Sequence, residues 1–370
     1  MSGNAEQYNC AVIIPALNPE PELTAYVREL LARGIPAVVV VDDGSRADTR
    51  PIFDEIASVP NAYVCRHTVN RGKGCALKTA YRFVLDEPAL AGMQGVVTAD
   101  ADGQHDADDV LRVAEMTQAS AGRIVLGTRN LRLSNVPPRS KLGNRLTSFA
   151  FYLLYGAKLE DTQTGLRGFP RDLLEWCIGI NGDRFEYEMN VLIRAVRDRV
   201  PFCETRIQTI YYNNNAGSHL HAGRDTWRVF LILMSGLGMY TVAAAVSAVI
   251  DVGMFWVSYR FLFAGLGTAA CYLASTMLAR VLSSAVNFTL NRRYVFKSER
   301  GKFDSAVRYY SLWLTQMMAS YLGLLGLQAL LPVPAVILKA CVDIILAVAS
   351  YQIQMRWVFR GEKAESKKES

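Results

Sequence analysis

Residues 95–105 read Gly95-Val-Val-Thr-Ala-Asp-Ala-Asp-Gly-Gln-His105, and the rest of the chain is arranged around this stretch. A short apolar run with β-branched residues ends in Asp100 and Asp102, the pattern of a buried strand running out into two carboxylates. Two acids one residue apart at a strand end suit a hard cation such as Mg²⁺, which takes one or two carboxylates and leaves positions for phosphate oxygens. Asp-x-Asp alone is a weak signal, because acids are also common in turns. The surrounding sequence has to give it meaning.

Upstream, residues 10–17 (CAVIIPAL) predict a first strand, and the apolar spacing of 22–33 predicts a helix that stops at Gly34. Residues 37–41 are apolar throughout, as in parallel strands buried on both faces. They lead into Asp42-Asp43-Gly44-Ser45, which fits either a turn with a helix cap or a ligand loop. A helix over 48–57 and a strand over 62–65 follow. Asn70-Arg-Gly-Lys73-Gly74 then opens a helix over 72–85. This is not a P-loop, whose spacing is absent, but a helix amino terminus carrying Gly and Lys suits phosphate. Beyond the acidic stretch come a helix over 107–119 and a strand over 123–127. Strand and helix alternate with short connections, which predicts a parallel α/β sheet with right-handed crossovers. Ligands of such sheets bind beyond the carboxyl ends of the strands, where Pro15, Asp42, Asp43, Asp100 and Asp102 all fall.

Residues 140–155 are amphipathic and then apolar, which fits either a core helix or one lying at a membrane surface. A helix over 187–197 and a strand over 205–212 complete this half, and the strand enters a loop at 213–219. His67, His105, His219 and His221 lack zinc-ligand spacing.

The chain has 370 residues, a net charge of +6 and 51% hydrophobic residues, unevenly spread. Residues 229–359 are mostly apolar, so the change near Thr226 is a change of solvent. The expected division is a soluble domain over 1–225, an interfacial stretch over 226–235, a membrane domain over 236–360 and a polar tail over 361–370. Four spans are expected, within 229–263, 269–290, 307–331 and 336–357; each exceeds or approaches the ~20 residues that cross ~30 Å of hydrocarbon, and the first is too long for one straight span. Basic residues gather between the second and third spans and after the fourth, which places those segments and the soluble domain on the cytoplasmic side of a cell membrane. The first nine residues are polar and do not read as a signal peptide. The seven cysteines have no pair spacing and read as reduced thiols. Nothing resembles a nucleic-acid module, and the chain is compatible with a homo-oligomer.

Asn291-Arg-Arg-Tyr-Val-Phe296 recurs as Gln354-Met-Arg-Trp-Val-Phe359, 63 residues on, so the spans read as a duplicated hairpin. Asp251, Arg280, Lys339 and Asp343 lie in or near spans, where charge is costly and marks function. Arg280 and Asp343 correspond at this offset, and either pair the repeats, face a polar headgroup path, or serve as simple helix contacts.

The ordered blocks PALN (15–18), VVDDGS (40–45), NRGKG (70–74), TADADGQH (98–105), GTRN (127–130) and DTQTGLRGF (161–169) resemble glycosyltransferase family 2. More narrowly, they resemble its branch that makes dolichyl- or polyprenyl-phosphate sugars. The resemblance implies a GT-A fold, a Rossmann-like sheet binding a nucleotide sugar of the UDP-glucose or GDP-mannose class. It places Pro15, Leu17, Asp42, Asp43, Lys73, Asp100 and Ala101 at the nucleotide. It puts Mg²⁺ or Mn²⁺ on Asp100, Asp102 and Gln104, and names Asp102, Arg129 and Arg139 as catalytic. Arg129, Arg139, Ser140, Thr164 and His219 fall in the acceptor region. The family often reads Pro-x-Tyr-Asn-Glu after the first strand; Pro15-Ala-Leu17-Asn18-Pro19-Glu20 lacks the aromatic, which leaves the preferred base open. Residues 232–360 resemble the GtrA-like four-span family, linked to handling of polyprenyl-linked sugars.

The implied chemistry is coherent. A metal on two carboxylates stabilises a departing diphosphate. A lipid phosphate is already an anion, so it needs cationic steering rather than a general base, and direct displacement inverts the anomeric carbon. Transfer to another membrane acceptor, or a lipid-sugar flippase or scaffold, are the alternatives.

Overall fold

A computed structural model describes residues 8–129, 138–208, 222–296, 298 and 300–359. The chain divides into two compact units. One takes in the sequence up to Ile232 apart from Leu153–Gly156, and the other comprises those four residues and everything from Leu233 onward.

In the first unit, seven strands among the described residues form one sheet in the order β3-β2-β1-β4-β6-β5-β7. They are β1 (Cys10–Ala16), β2 (Val38–Asp42), β3 (Ala62–Arg66), β4 (Gly95–Thr98), β5 (Ile124–Arg129), β6 (Arg167–Pro170) and β7 (Phe202–Ile207). The helices are α1 (Glu22–Ala32), α2 (Arg50–Ala57), α3 (Lys73–Asp86), α4 (Ala107–Ala119), α5 (Pro138–Tyr155), α6 (Leu174–Ile178) and α7 (Glu186–Asp198). The central strands are apolar because both faces are covered: Val12, Ile14, Val38, Val40 and Val97 are wholly buried, with Leu30 of α1, Phe53 of α2 and Val110 of α4 in the same core.

Strands β3, β2, β1 and β4 are mutually parallel, as expected. The sheet is nonetheless mixed, because β6 runs antiparallel to both β4 and β5. Its four residues, Arg-Gly-Phe-Pro, have no alternation or apolar run to announce a strand. It forms because Gly168 leaves room beside β4 and β5: a Cβ there would fall 1.8 Å from the Thr117 hydroxyl. This reversed strand carries the loop of residues 161–166 back to the end of β4.

Four long helices follow: α8 (Ala222–Val257), which belongs to the second unit from Leu233 onward, and α9 (Thr268–Leu290), α10 (Lys302–Leu330) and α11 (Ala335–Ile353), which lie wholly in it. The stretch 226–235, expected as an interfacial segment, is part of the continuous helix α8. Among the described residues three segments are long and apolar enough to cross a membrane: Leu231–Leu262, Thr268–Val295 and Ile337–Val358. The expected fourth is α10, which has the length, about 43 Å at 1.5 Å per residue. Gln316, Ser320 and Gln328 interrupt its apolar composition, so three candidate spans stand where the sequence predicts four.

The duplicated motif closes on itself. Both copies end in a π turn, Asn291–Val295 and Gln354–Val358. Asn291 Nδ2 donates to Gln354 Oε1 at 3.3 Å, and the rings of Phe296 and Phe359 stack with centroids 5.2 Å apart. Of the alternatives for Arg280 and Asp343, direct pairing does not occur: Arg280 faces Asp251, and Asp343 pairs with Lys339 one turn away on its own helix.

Candidate active site

The site lies at the carboxyl ends of β2, β1 and β4. Parallel pairing puts these ends on one edge, with Ala16 opposite Asp42 and Ile13 opposite Thr98. The loops after β1 and β2 are laced together. Asp42 Oδ1 accepts from Ser45 N at 2.8 Å, Ser45 Oγ accepts from Asn18 N at 2.9 Å, and Asn18 Oδ1 accepts from Arg46 N at 2.8 Å. Asn18 has φ 49°, in the left-handed region that asparagine tolerates. Pro15 lies within β1, and Leu17 just beyond it is exposed. Ala101 packs partly buried against the sheet core.

Asp43, expected at the nucleotide, is bonded to the loop before α3. It is buried, and it accepts from Arg71 N at 2.9 Å and Gly72 N at 2.7 Å. His67 Nδ1 is 2.7 Å from the same carboxylate, and its Nε2 is 2.9 Å from Thr79 Oγ1. The same bonds occupy the approach to the α3 amino terminus, which the sequence reads as suited to phosphate. Backbone N–H groups just before the helix already hold a carboxylate, which satisfies the charge preference of that end. Gly44 permits the arrangement: it has φ +73°, and a Cβ on it would meet the Val69 carbonyl carbon at 2.2 Å.

Strand β4 ends at Thr98, so Asp100 and Asp102 project from the turn that follows. Lys73 Nζ, from the first residue of α3, donates to Asp100 Oδ1 at 2.6 Å and lies 3.1 Å from Glu188 Oε1. His105 Nε2 is 3.3 Å from Asp100 Oδ2. Burial alone disfavours the Asp100 charge, but Lys73 and His105 outweigh it and hold the carboxyl well below its usual range. Burial likewise disfavours the Lys73 ammonium, and Asp100 and Glu188 more than reverse this. Asp102 is open to solvent, and its Oδ1 accepts from Gln104 N at 3.1 Å. Partial desolvation and then repulsion from Asp100 push its pKa up.

Loop 161–166 closes over Asp100. A Cβ on Gly165 would fall 2.3 Å from Asp100 Oδ2, so only glycine lets the carboxylate sit there. Thr98 Oγ1 donates to the Gly165 carbonyl at 2.8 Å. Buried Arg167 ties the loop to α7, donating to the Thr164 carbonyl at 2.9 Å and the Glu188 carbonyl at 2.7 Å. Thr164, expected near the acceptor, is turned inward: it is buried, and its Oγ1 accepts from Leu166 N at 3.3 Å. Arg129 ends β5 on the same sheet edge, in a bidentate pair with Asp161 at 2.6 and 3.0 Å. Asp161 is wholly buried. Arg139 and Ser140 belong to the first turn of α5, but their side chains lie outside the described residues, as does His219.

The sequence reading missed Glu188 and Asp161. Asp161 stands in the block DTQTGLRGF and Glu188 in the helix read over 187–197, but pairing across more than 30 residues leaves no local spacing to read.

A hard divalent cation would find two donors here, the carboxylates of Asp100 and Asp102 one residue apart, with Lys73 and His105 already against Asp100. Among the described residues no three metal-ligating groups converge, so a cation here would complete its shell with water and substrate oxygens, as Mg²⁺ does.

Residues 11–176 match Glycosyl transferase family 2, and residues 239–359 match the GtrA/DPMS transmembrane domain. An uncharacterized protein of Methanocaldococcus jannaschii is 34% identical over 218 residues, covering 57% of this chain and 86% of that protein. The UDP-N-acetylglucosamine–dolichyl-phosphate N-acetylglucosaminyltransferase of Methanococcus voltae is 29% identical, covering 61% of this chain and 96% of that one. The polyprenol monophosphomannose synthase of Mycolicibacterium smegmatis is 29% identical, covering 53% of this chain and 75% of that one. These matches mark a glycosyltransferase with a helical membrane domain. The chain belongs to glycosyltransferase family 2, and it is a membrane protein carrying a GtrA/DPMS transmembrane domain.

Proposed function

We propose that the protein transfers a sugar, with inversion, from a nucleotide sugar to a polyprenyl phosphate at the cytoplasmic face of the membrane. The observation that carries this reading is Lys73 against Asp100, with Asp102 beside it beyond the parallel strand ends, in a chain two of whose relatives are named a dolichyl-phosphate N-acetylglucosaminyltransferase and a polyprenol monophosphomannose synthase. Basic residues flanking the spans support the cytoplasmic assignment.

The chain's own residues divide the work. The Asn18–Ser45 lacing presents the loop holding Asp42, which is the candidate contact for the nucleotide. Asp100, Asp102 and Gln104 are the candidate holders of Mg²⁺ or Mn²⁺, which when bound supplies a Lewis acid and template for the donor diphosphate. Lys73 keeps Asp100 ionised and adds positive charge beside the position of the departing group. Glu188 holds Lys73 from the other side. The acceptor phosphate needs no base. Asp161 fixes the Arg129 guanidinium, and Arg139 is the second candidate cation for steering that anion.

The test is a panel of labelled nucleotide sugars offered to the full chain in membranes with undecaprenyl or dolichyl phosphate. One donor is expected to give an acid-labile lipid product. Asp102→Asn is expected to abolish transfer while nucleotide binding persists. Failure of every donor to label lipid, or full transfer by the variant, overturns the reading.

A further inference from the structure

A chain of buried hydrogen bonds runs behind Lys73, away from the reacting groups. Asp43 accepts from the backbone N–H groups of Arg71 and Gly72 at 2.9 and 2.7 Å. His67 Nδ1 stands 2.7 Å from Asp43 Oδ1, and its Nε2 stands 2.9 Å from Thr79 Oγ1. The carboxylate accepts throughout, so Nδ1 is the N–H end of the ring. The threonine hydroxyl both donates and accepts, so it satisfies Nε2 whether or not that nitrogen carries a proton. The pair is nearly sealed from water, with side chains 5% and 6% exposed. Asp43 follows β2, His67 follows β3, and Thr79 lies on α3 beyond Lys73. Two strand ends are therefore tied to the loop and helix on both sides of Lys73.

Packing alone would not fix that position. Ala76, Leu77 and Ala80 of α3 are buried, but apolar contact is non-directional and tolerates a small slide of the helix. Hydrogen bonds set a direction and a distance. Lys73 needs both, because its ammonium is divided between Asp100 at 2.6 Å and Glu188 at 3.1 Å, groups on different elements. Toward Glu188 the first turn of α3 is tied by the Cys75 N–H, which donates to the Asp183 carbonyl at 2.9 Å, just before α7. Toward the sheet it is tied by Asp43, and His67 is the side chain that holds Asp43 from behind.

We propose that His67 is a positioning residue: through Asp43 and Thr79 it sets the register of the α3 amino terminus and so keeps Lys73 on Asp100. Its consequence for sugar transfer rests on the function proposed above, whereas its consequence for the Lys73–Asp100 contact does not. A misplacement of about 1 Å would open that contact, and errors of this size cost enzymes about 100-fold in rate.

The test uses the full-length chain in phosphatidylcholine nanodiscs, read first by hydrogen exchange and mass spectrometry. His67→Gln places its amide near the Nε2 position and loses the bond to Asp43. Amides of residues 70–74 are expected to exchange about tenfold faster, the usual effect of losing a hydrogen bond to a charged group. Residues 99–104, which carry Asp100, should follow, while α3 from Leu77 onward stays protected. His67→Asn places its amide nitrogen near Nδ1 and is expected to restore both segments. Lys73→Met should by itself speed residues 99–104, and adding His67→Gln should speed them no further. Thr79→Val leaves the Asp43–His67 pair in place and is expected to move the same segments less, which covers the case in which a histidine variant fails to fold. The proposal is overturned if residues 99–104 do not respond to His67→Gln and Thr79→Val. Equal loosening along all of α3, or additive effects of His67→Gln and Lys73→Met, overturns it too, since either makes His67 a fold contact only. In the transfer assay His67→Gln is expected to lower kcat about tenfold or more with the nucleotide-sugar KM little changed, and to cost nothing further in Lys73→Met. Additive losses there also overturn it. If no donor labels lipid, the proposed function falls and the exchange measurements alone decide the role of His67.

Discussion

Replacing Arg129 with methionine separates two roles for that residue. Its guanidinium holds Asp161 through bonds of 2.6 and 3.0 Å, and the carboxylate is wholly buried. Removing one partner of such a pair strands a charge, at a cost of about 3–5 kcal/mol. Asp161 keeps the backbone N–H of Gln163 at 3.0 Å and that of residue 129 at 3.3 Å, so the low end, about 3 kcal/mol, applies. For a domain of this size that is a fall of about 6–12 °C in Tm. Asp161→Asn should cost less, because the Arg129 side chain is 20% exposed and has some access to water. Arg129→Met with Asp161→Met should recover most of the loss, since neither charge is then buried alone. Scanning fluorimetry of the full chain gives the three Tm values, with transfer assayed alongside. If Arg129→Met melts within about 1 °C of the parent, below the shift expected from 1 kcal/mol, or if the single losses simply add, the buried-pair argument fails. Lost transfer with an unchanged Tm would return Arg129 to a purely acceptor-facing role.

Gly165→Ala forces a Cβ to within 2.3 Å of Asp100 Oδ2, so transfer is expected to fall by about 100-fold or more with the fold intact; near-normal kcat would count against the packing. Glu188→Gln leaves Lys73 wholly to Asp100, where it competes with a cation, so the Mg²⁺ or Mn²⁺ concentration for half-maximal transfer should rise severalfold, and an unmoved midpoint sinks the idea. Burial pushes the Cys10 thiol from 9.0 up to about 12, so it stays neutral in the fold after it ionises in the unfolded chain. Its contribution is intact below pH 9 and is lost as pH rises from there toward 12; Cys10→Ala should therefore spare about 2 kcal/mol of the alkaline destabilisation by pH 10.5, read from unfolding at matched pH, and parallel alkaline limbs would refute this.

The sequence by itself determined the alternation of strand and helix from Cys10 to Arg129, the edge on which Asp42, Asp100 and Asp102 gather, and the change from soluble to membrane composition. These follow from hydrophobic period, turn chemistry and short connections, all local quantities. It also carried the 63-residue repeat, whose paired residues Asn291 and Gln354 meet in space. Only the tertiary structure decided what each polar group is for. Asp43 and Asp42 are adjacent in sequence, yet Asp43 braces the loop before α3 from within while Asp42 presents its own loop. Lys73 is divided between Asp100 and Glu188, partners 27 and 115 residues away, and Arg129 belongs to Asp161. Strand β6 was invisible because the space beside β4 and β5, rather than its own composition, makes it a strand. Charge pairs respond to distance and desolvation in three dimensions, and neither quantity is written in the spacing of residues along a chain.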